Sequence, residues 1–303
     1  MDAVQITNVT KTYGAVTAVN DLSLTIAAGS IYGFIGPNGS GKTTTMRMIV
    51  NIFHPDKGTI NVFGRPTSIE RSSLIGYLPE ERGLYRHMRV QALLEFYAEL
   101  RGGSKMESAI TAWLDRFGLG HCADRKLETL SKGMSQKVQF IAAAVPEPKL
   151  LILDEPFSGL DPVSLDVIRT AILDMRRRGV TVILSTHDMG VAESMCDSIV
   201  MIYRGNKVLD GTLGAIQDQY GNDTIRVSVE GVFPAVNEFA GVESVRDMGQ
   251  TKELRMGRGC DPQQVLRSLI ERTKVISFAI TKPSLHDIFV RIAGPAEGAK
   301  DAA

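Results

Sequence analysis

The sequence contains few cysteines, no long apolar run and no net charge. Its three cysteines, Cys122, Cys196 and Cys260, are odd in number and far apart. This spacing argues against a disulfide framework or a zinc knuckle, and it predicts a reducing compartment. The formal charge is +0, so we expect no general electrostatic attraction to nucleic acid or to anionic lipid.

Two further absences concern membranes and secretion. No stretch approaches the ~18 consecutive apolar residues that a membrane-spanning helix needs, and the longest apolar segments have the length of buried strands. Asp2 and the polar residues at positions 7–10 interrupt any apolar segment near the start, so no secretory signal is expected. With 44% apolar and 22% charged residues, the composition is typical of a globular protein. We therefore expect a cytosolic chain.

One motif carries a specific chemical signal. The residues Gly36-Pro37-Asn38-Gly39-Ser40-Gly41-Lys42-Thr43 fit the pattern G-x-x-x-x-G-K-[ST] of a phosphate-binding loop. An apolar predicted strand precedes the loop, and a predicted helix follows from Thr44. The glycines let backbone N–H groups face phosphate oxygens, and the helix dipole adds positive potential there. Lys42 is expected to contact the β- and γ-phosphates, and the Thr43 hydroxyl to hold Mg²⁺. The alternative, a plain glycine turn between strand and helix, is disfavoured by this context.

Apolar patterns along the first two thirds of the chain predict an α/β fold with a mixed sheet. Strands are predicted at residues 4–10, 19–26, 31–35, 59–63, 74–79, 150–153, 180–184 and 199–203. The first of these is predicted to be a half-buried antiparallel edge strand. Helix-period residues at 90–100, 107–117 and 137–145 predict a helical subdomain of about residues 88–146, and a further helix is predicted at 162–178. Strands that alternate with helices indicate a parallel sheet covered on both faces.

The pattern changes after about residue 220. Strands predicted at residues 224–229, 242–248, 252–256 and 275–280, with helices at 234–240 and 262–271, give the split βαβ (ferredoxin-like) order of a small α+β domain. A last helix begins at residues 283–287 with a capping-box arrangement. We therefore predict a nucleotide-binding domain at residues 1–220, an accessory domain at 221–294 and a flexible tail at 295–303.

A second candidate site element follows the predicted strand at residues 150–153. That strand ends in two carboxylates, Asp154 and Glu155. An acid at the end of a strand beside a phosphate loop typically holds Mg²⁺, here Asp154. Glu155 is then placed to polarise the water that attacks the γ-phosphorus. Taken alone, the two acids are equally well explained as a turn or a helix cap, and the earlier phosphate loop favours the catalytic interpretation.

Five motifs in this order carry a family resemblance. They are Gly36 to Thr43, Leu130-Ser131-Lys132-Gly133, Leu153-Asp154-Glu155-Pro156, Ser158-Gly159-Leu160-Asp161 and Ser185-Thr186-His187-Asp188. Residues 4–216 resemble the ATP-binding subunit of an ABC (ATP-binding cassette) transporter, a P-loop NTPase fold. The accessory domain and its last helix resemble prokaryotic exporters, among them sodium and drug efflux ATPases. The resemblance implies an ATPase that powers export of an ion, drug or similar substrate.

The resemblance also implies roles for single residues. Tyr13 lies where the family stacks an aromatic ring on adenine. Ser131 and Gly133 lie where its signature motif contacts the γ-phosphate of ATP bound to a second subunit. His187 is expected to contact the γ-phosphate and to support Glu155. The implied cofactors are ATP and Mg²⁺, and the implied catalytic residues are Lys42, Glu155 and His187.

The same resemblance implies two partners and a location. The partners are a second copy of the chain, in a nucleotide-sandwiched homodimer whose seam Asp161 would line, and a separate multi-span membrane permease; no nucleic acid is expected. The chain would be cytoplasmic and peripheral on the inner face of the cell membrane. The sequence does not identify the transported substrate.

Two features depart from the family pattern. The usual signature Leu-Ser-Gly-Gly-Gln is replaced here by residues 130–134, with Lys132 at the first glycine position. Lys132 either adds a charge near the partner's nucleotide or is simply solvated. Glu80 stands where the family usually has a glutamine that reaches Mg²⁺. Because a carboxylate can also bind Mg²⁺, the expected metal ligands are Thr43, Asp154 and Glu80.

Two other functions fit parts of the sequence. One is a soluble cassette ATPase that acts on ribosomes or DNA; such proteins resemble two fused cassettes or carry long coiled-coil insertions, and neither is present here. The other is a regulatory module in which hydrolysis has been lost. The intact set of candidate catalytic and metal-binding residues argues against that loss: Lys42, Asp154, Glu155 and His187.

Overall fold

The structure is a computed structural model that describes residues 1–67, 73–81, 83–101, 106–221, 223–231, 233–235, 239–257 and 259–293. The chain divides into two compact units, Met1–Leu213 and Gly214–Ala303. Within the described residues, none of the helices has the length and apolarity needed to cross a membrane.

The first unit contains two sheets. Its strands are β1 (Asp2–Tyr13), β2 (Val16–Ala27), β3 (Ile31–Ile35), β4 (Lys57–Val62), β5 (Arg65–Pro66), β6 (Ile75–Leu78), β7 (Leu150–Leu153), β8 (Thr181–Thr186), β9 (Ser198–Tyr203) and β10 (Asn206–Gly211). One sheet has the order β10-β9-β3-β8-β7-β6, with β10 antiparallel to β9 and the other neighbours parallel. Every residue of β3 and β7 is buried, as expected for a parallel sheet covered on both faces.

The second sheet of this unit is antiparallel and corrects one prediction. Its order is β2-β1-β4-β5. The segment at residues 4–10 was predicted to be an edge strand, and this is wrong because β1 has a neighbour on each side. Val4 pairs with Ile26 of β2 and with Val62 of β4. Alternating burial reveals that one face of a strand is covered, but it carries no information about the number of neighbouring strands.

The helices of the first unit place the polar motifs at strand ends. They are α1 (Lys42–Ile49), α2 (Val90–Leu100), α3 (Glu107–Arg116), α4 (Lys132–Ala144), α5 (Pro162–Arg177), α6 (Met189–Met195) and, running into the second unit, α7 (Leu213–Tyr220). Helix α4 begins well before its predicted start at residue 137, because the Ser131 side chain accepts a hydrogen bond from Met134 N and caps it. The short elements β5, β10, α6 and α7 were not predicted.

The helical subdomain packs on one face of the parallel sheet. Leu93 of α2, Ile110 of α3 and Phe140 of α4 are fully buried in one core with Leu151 of β7. The rings of Phe117 and Phe140 stack with centroids 5.5 Å apart. This apolar core fixes the start of α4, and with it the signature motif, relative to the sheet.

The second unit has the predicted split βαβ strand order. Its elements are β11 (Thr224–Glu230), β12 (Val242–Asp247), β13 (Lys252–Met256), α8 (Pro262–Ile270), β14 (Lys274–Thr281) and α9 (Leu285–Ala293). The sheet order is β12-β13-β11-β14, and all three pairings are antiparallel. The predicted helix at 234–240 is wrong at its described residues, because 234, 235, 239 and 240 are not helical, and residues 236–238 lie outside the described residues. The predicted tail at 295–303 also lies outside them.

The capping arrangement predicted for the last helix is present. Ser284 N donates to Asp287 Oδ2 at 3.0 Å, and Asp287 N donates to Ser284 Oγ at 3.2 Å. This reciprocal pair satisfies backbone donors at the start of α9. Leu285 and Ile288 of the same helix are fully buried.

Candidate active site

Two glycines of the phosphate loop, Gly36 and Gly41, occupy places where a side chain would clash with backbone atoms. Gly36 and Gly41 have φ angles of 145° and 109°. A Cβ atom at Gly36 would lie 2.1 Å from the Ile202 carbonyl oxygen, and one at Gly41 would lie 2.3 Å from the Ala18 carbonyl oxygen. Both the backbone conformation and the close approach therefore require glycine.

Lys42 is the buried cation of the loop. Its Nζ donates to the Gly36 carbonyl oxygen at 2.7 Å and lies 4.0 Å from Glu155 Oε1. Burial lowers the pKa of Lys42 from its usual value, and the carboxylates of Glu155, Asp154 and Glu80 oppose that shift. The adjacent acids Asp154 and Glu155 and the acid Glu80, which is distant from them in the sequence, therefore act electrostatically on one ammonium group.

Asp154 combines full burial with an unsatisfied oxygen. It follows β7 and is 0% exposed. Its Oδ1 accepts hydrogen bonds from Ser185 Oγ at 2.6 Å and from Thr43 Oγ1 at 3.2 Å, while its Oδ2 is buried without a hydrogen-bond partner. A buried carboxylate oxygen without a partner is costly, and a divalent cation is a group that would satisfy it. Together with the adjacent Thr43 hydroxyl, Asp154 fits a Mg²⁺ ion.

Glu155 is held in a fixed position beside His187. Its backbone has a φ angle of 50°, and its N–H donates to Ser185 Oγ at 2.8 Å. Its Oε2 lies 3.0 Å from His187 Nδ1, and its Oε1 is buried without a hydrogen-bond partner. A carboxylate fixed in this way can accept a proton from a water molecule within hydrogen-bond reach.

Ser185 is a site residue that the sequence reasoning missed. Its hydroxyl joins two motifs, because it donates to Asp154 Oδ1 and accepts from the Glu155 backbone. Its position directly after the predicted strand at residues 180–184 could have identified it as a site residue. The carboxyl ends of neighbouring parallel strands meet at one edge of a sheet.

Lys42 and Glu155 line one open cleft of about 240 Å³, and Asp154 contacts the lining residue Thr43. Glu80, which follows β6, contributes to its wall beside Glu155. The residues that line the cleft are Ala18, Asn38, Gly39, Ser40, Gly41, Lys42, Thr43, Thr44, Glu80 and Glu155. The structure thus brings the phosphate loop and both glutamates together.

Three other predicted binding residues lie apart from the cleft wall. Tyr13 is 44% exposed, and its ring packs edge-on against Phe53 with centroids 6.1 Å apart. Ser131 is the exposed N-cap of α4. A Cβ atom at Gly133 would lie 3.7 Å from Asp161 Oδ2, so the signature motif and the predicted seam residue share one surface.

Comparison with known proteins identifies the two parts of the chain. Residues 19–158 match the family described as ABC transporter, and residues 211–293 match the family described as ATP-binding protein DrrA1-3-like, C-terminal domain. The ABC transporter ATP-binding protein YhaQ of Bacillus subtilis (strain 168) is 36% identical over 291 residues, which cover 95% of this chain and 98% of YhaQ.

One relative is named for drug resistance and another for export. The daunorubicin/doxorubicin resistance ATP-binding protein DrrA of Streptomyces peucetius is 32% identical, with coverage of 96% of this chain and 92% of DrrA. The Nod factor export ATP-binding protein I of Sinorhizobium fredii (strain NBRC 101917 / NGR234) is 34% identical, with coverage of 96% and 86%.

Solved structures show the same fold for the cassette. An ATP-binding subunit of an ABC transporter superposes with a TM-score of 0.69 at 30% identity, over 72% of this chain and 93% of that chain. A nucleotide-free ATP-binding cassette superposes with a TM-score of 0.63 at 22% identity, over 72% and 94%. These matches do not favour the alternative of a ribosome- or DNA-associated ATPase. The chain belongs to the ATP-binding subunits of ABC transporters, which hydrolyse ATP to power transport.

Proposed function

We propose that this subunit hydrolyses Mg²⁺-bound ATP in the cleft around Lys42 and thereby powers export through a separate membrane subunit. The observation that carries the proposal is the convergence of Lys42, Thr43, Asp154 and Glu155 at the carboxyl ends of β3 and β7. A buried cation for phosphates, a hydroxyl–carboxylate pair for a metal and a fixed carboxylate for water are the groups that phosphoryl transfer to water requires.

Each residue has a distinct task in this proposal. Thr43, Asp154 and Glu80 would hold Mg²⁺, which neutralises charge on the phosphates when bound. The backbone N–H groups of the loop and the start of α1 bind the phosphate oxygens, and Lys42 Nζ leaves its carbonyl partners to contact them. Glu155 polarises the attacking water and accepts its proton.

His187 would support the same step through its contact with Glu155. Its side chain is 57% exposed, although Nδ1 lies 3.0 Å from the buried Glu155 carboxylate. The ring therefore orients Glu155 and leaves its opposite edge accessible to the γ-phosphate. This placement supports a role in holding the transition-state geometry.

We further propose that two copies of the chain sandwich each ATP. Ser131 and Gly133 do not line the cleft within the described residues, yet they occupy an exposed helix start next to Asp161. A helix N-terminus favours a phosphate group. A nucleotide held by one copy would meet this surface on the second copy, and Tyr13 would stack on its adenine.

The proposed membrane partner is inferred from the relatives. DrrA and the Nod factor export protein are named for resistance and export, and this chain matches most of their length. We therefore propose a multi-span permease as partner, docked at the inner face of the cell membrane. Affinity purification of the tagged full chain in mild detergent tests the proposal, with the tag alone as control. Co-purification of a multi-span protein supports it, and recovery of ribosomal or DNA-associated partners would contradict it.

A further inference from the structure

Glu80 changes the charge balance of the cleft. Among the described residues that line it, Lys42 is the one cation, whereas Glu80 and Glu155 are both acids. Asp154 adds a third carboxylate, because it accepts a hydrogen bond from the lining residue Thr43. Three carboxylates therefore lie in or next to the lining with one ammonium group, and the Arg47 guanidinium, which interacts electrostatically with Asp154, is not part of that lining.

Two of these carboxylates are buried and only partly satisfied by their neighbours. Asp154 is 0% exposed and Glu155 is 7% exposed, and each has an oxygen that is buried without a hydrogen-bond partner. The Glu155 oxygen is the one that lies 4.0 Å from Lys42 Nζ. Charges at low local dielectric act over longer distances than charges in water. ATP without a metal ion would bring further negative charge into this field.

We infer that Glu80 is a specificity-determining residue that makes the cleft accept metal-bound ATP and reject metal-free ATP. The inference rests on the proposed function of the cleft. A glutamine at this position could contact a metal ion, but it would not repel an unaccompanied triphosphate. The acid does both, since it attracts the divalent cation and repels the bare phosphate groups. Nucleotide binding therefore depends on the bound metal ion before hydrolysis begins.

The test is nucleotide affinity with and without a divalent cation. The probe is a β,γ-imido ATP analogue with a fluorescent ribose group, titrated into the full chain at low salt in Mg²⁺ and in EDTA. We compare wild type with Glu80→Gln and with Glu81→Gln. Both glutamates are exposed, so both substitutions remove one charge at an exposed site, but Glu81 does not line the cleft.

In EDTA, Glu80→Gln should bind the analogue on the order of tenfold more tightly than wild type, the effect of one removed charge at an effective dielectric constant near 20. In Mg²⁺ its affinity should equal that of wild type or fall severalfold. Glu81→Gln should change either affinity less than about twofold, since Glu81 does not line the cleft and its exposed charge is screened. Equal shifts in the two variants, or no shift in Glu80→Gln, would overturn the inference.

A fourth protein separates this inference from the proposed function. Lys42→Ala should lose the analogue in Mg²⁺ whether or not Glu80 selects for the metal. Loss of binding in Lys42→Ala, together with no shift in Glu80→Gln, would remove only the role of Glu80. Unchanged binding in Lys42→Ala would show that the cleft is not the nucleotide site, and both proposals would fall.

Discussion

The two units of the chain differ in whether they bury charged side chains. In the first unit, Lys42, Asp154 and Glu155 are buried within a few ångströms of one another. Among the described residues of the second unit, no Asp, Glu, Lys or Arg is buried, and charges pair near the surface, as in Arg226 with Glu253.

This difference shows where chemistry can occur. Burying charges is costly unless a ligand or a reaction uses them, so the cluster around Lys42 indicates a site. Ion pairs at an exposed surface contribute about 0–1 kcal/mol each, and they need no function beyond holding a small sheet and its helices together. This difference therefore supports the proposal that ATP is hydrolysed in the first unit.

The largest effect is expected from removing the buried cation. Lys42→Ala should abolish most ATP binding and lower hydrolysis by at least about a hundredfold, because one charge and its phosphate contacts are lost. Isothermal titration with MgATP and a phosphate-release assay measure the two effects. The matched control is Lys57→Ala, which removes an exposed lysine on β4 and should behave like wild type. Unchanged binding and turnover in Lys42→Ala would refute the assignment of the loop.

A small effect on ATP binding is expected from removing the second unit. A chain that ends at Tyr220 should remain folded and bind MgATP within about twofold of the full chain, because the cleft is lined by residues of the first unit. A second truncation after Leu213, at the division between the compact units, controls for the choice of end point. If both truncated proteins aggregate or fail to bind ATP, the two units share one core and the comparison between them is invalid.

Sequence reasoning predicted those parts of the fold that are encoded by short, contiguous sequence patterns. The phosphate loop and the two acids after β7 are contiguous motifs, and α2 was predicted with its observed bounds, Val90–Leu100. The neighbours of β1 were missed because strand pairing joins distant segments. The early start of α4 was missed because it depends on a single cap, at Ser131.

In the candidate site too, residues of contiguous motifs could be predicted, whereas a contact between distant segments could not. Lys42 and Asp154 could be recognised from their motifs, but no sequence pattern states that Ser185 holds both Asp154 and the Glu155 backbone. That connection arises because β7 and β8 are parallel neighbours. In the second unit, strand order could be predicted from the order of elements, whereas its purpose could not, since its described charged residues form no buried cluster.

The most direct test of the central claim is the Glu155→Gln variant. The amide preserves size and can still lie near His187, but it cannot accept the proton of the attacking water. We predict that ATP binds with near wild-type affinity, that turnover falls by about 10²–10⁴-fold, and that the variant elutes as a dimer with MgATP and as a monomer without nucleotide. Adding Ser131→Arg should abolish the dimer while ATP stays bound to each monomer, and adding Ser194→Arg, at an exposed serine of α6, should leave it intact. Hydrolysis by Glu155→Gln at the wild-type rate would contradict the account.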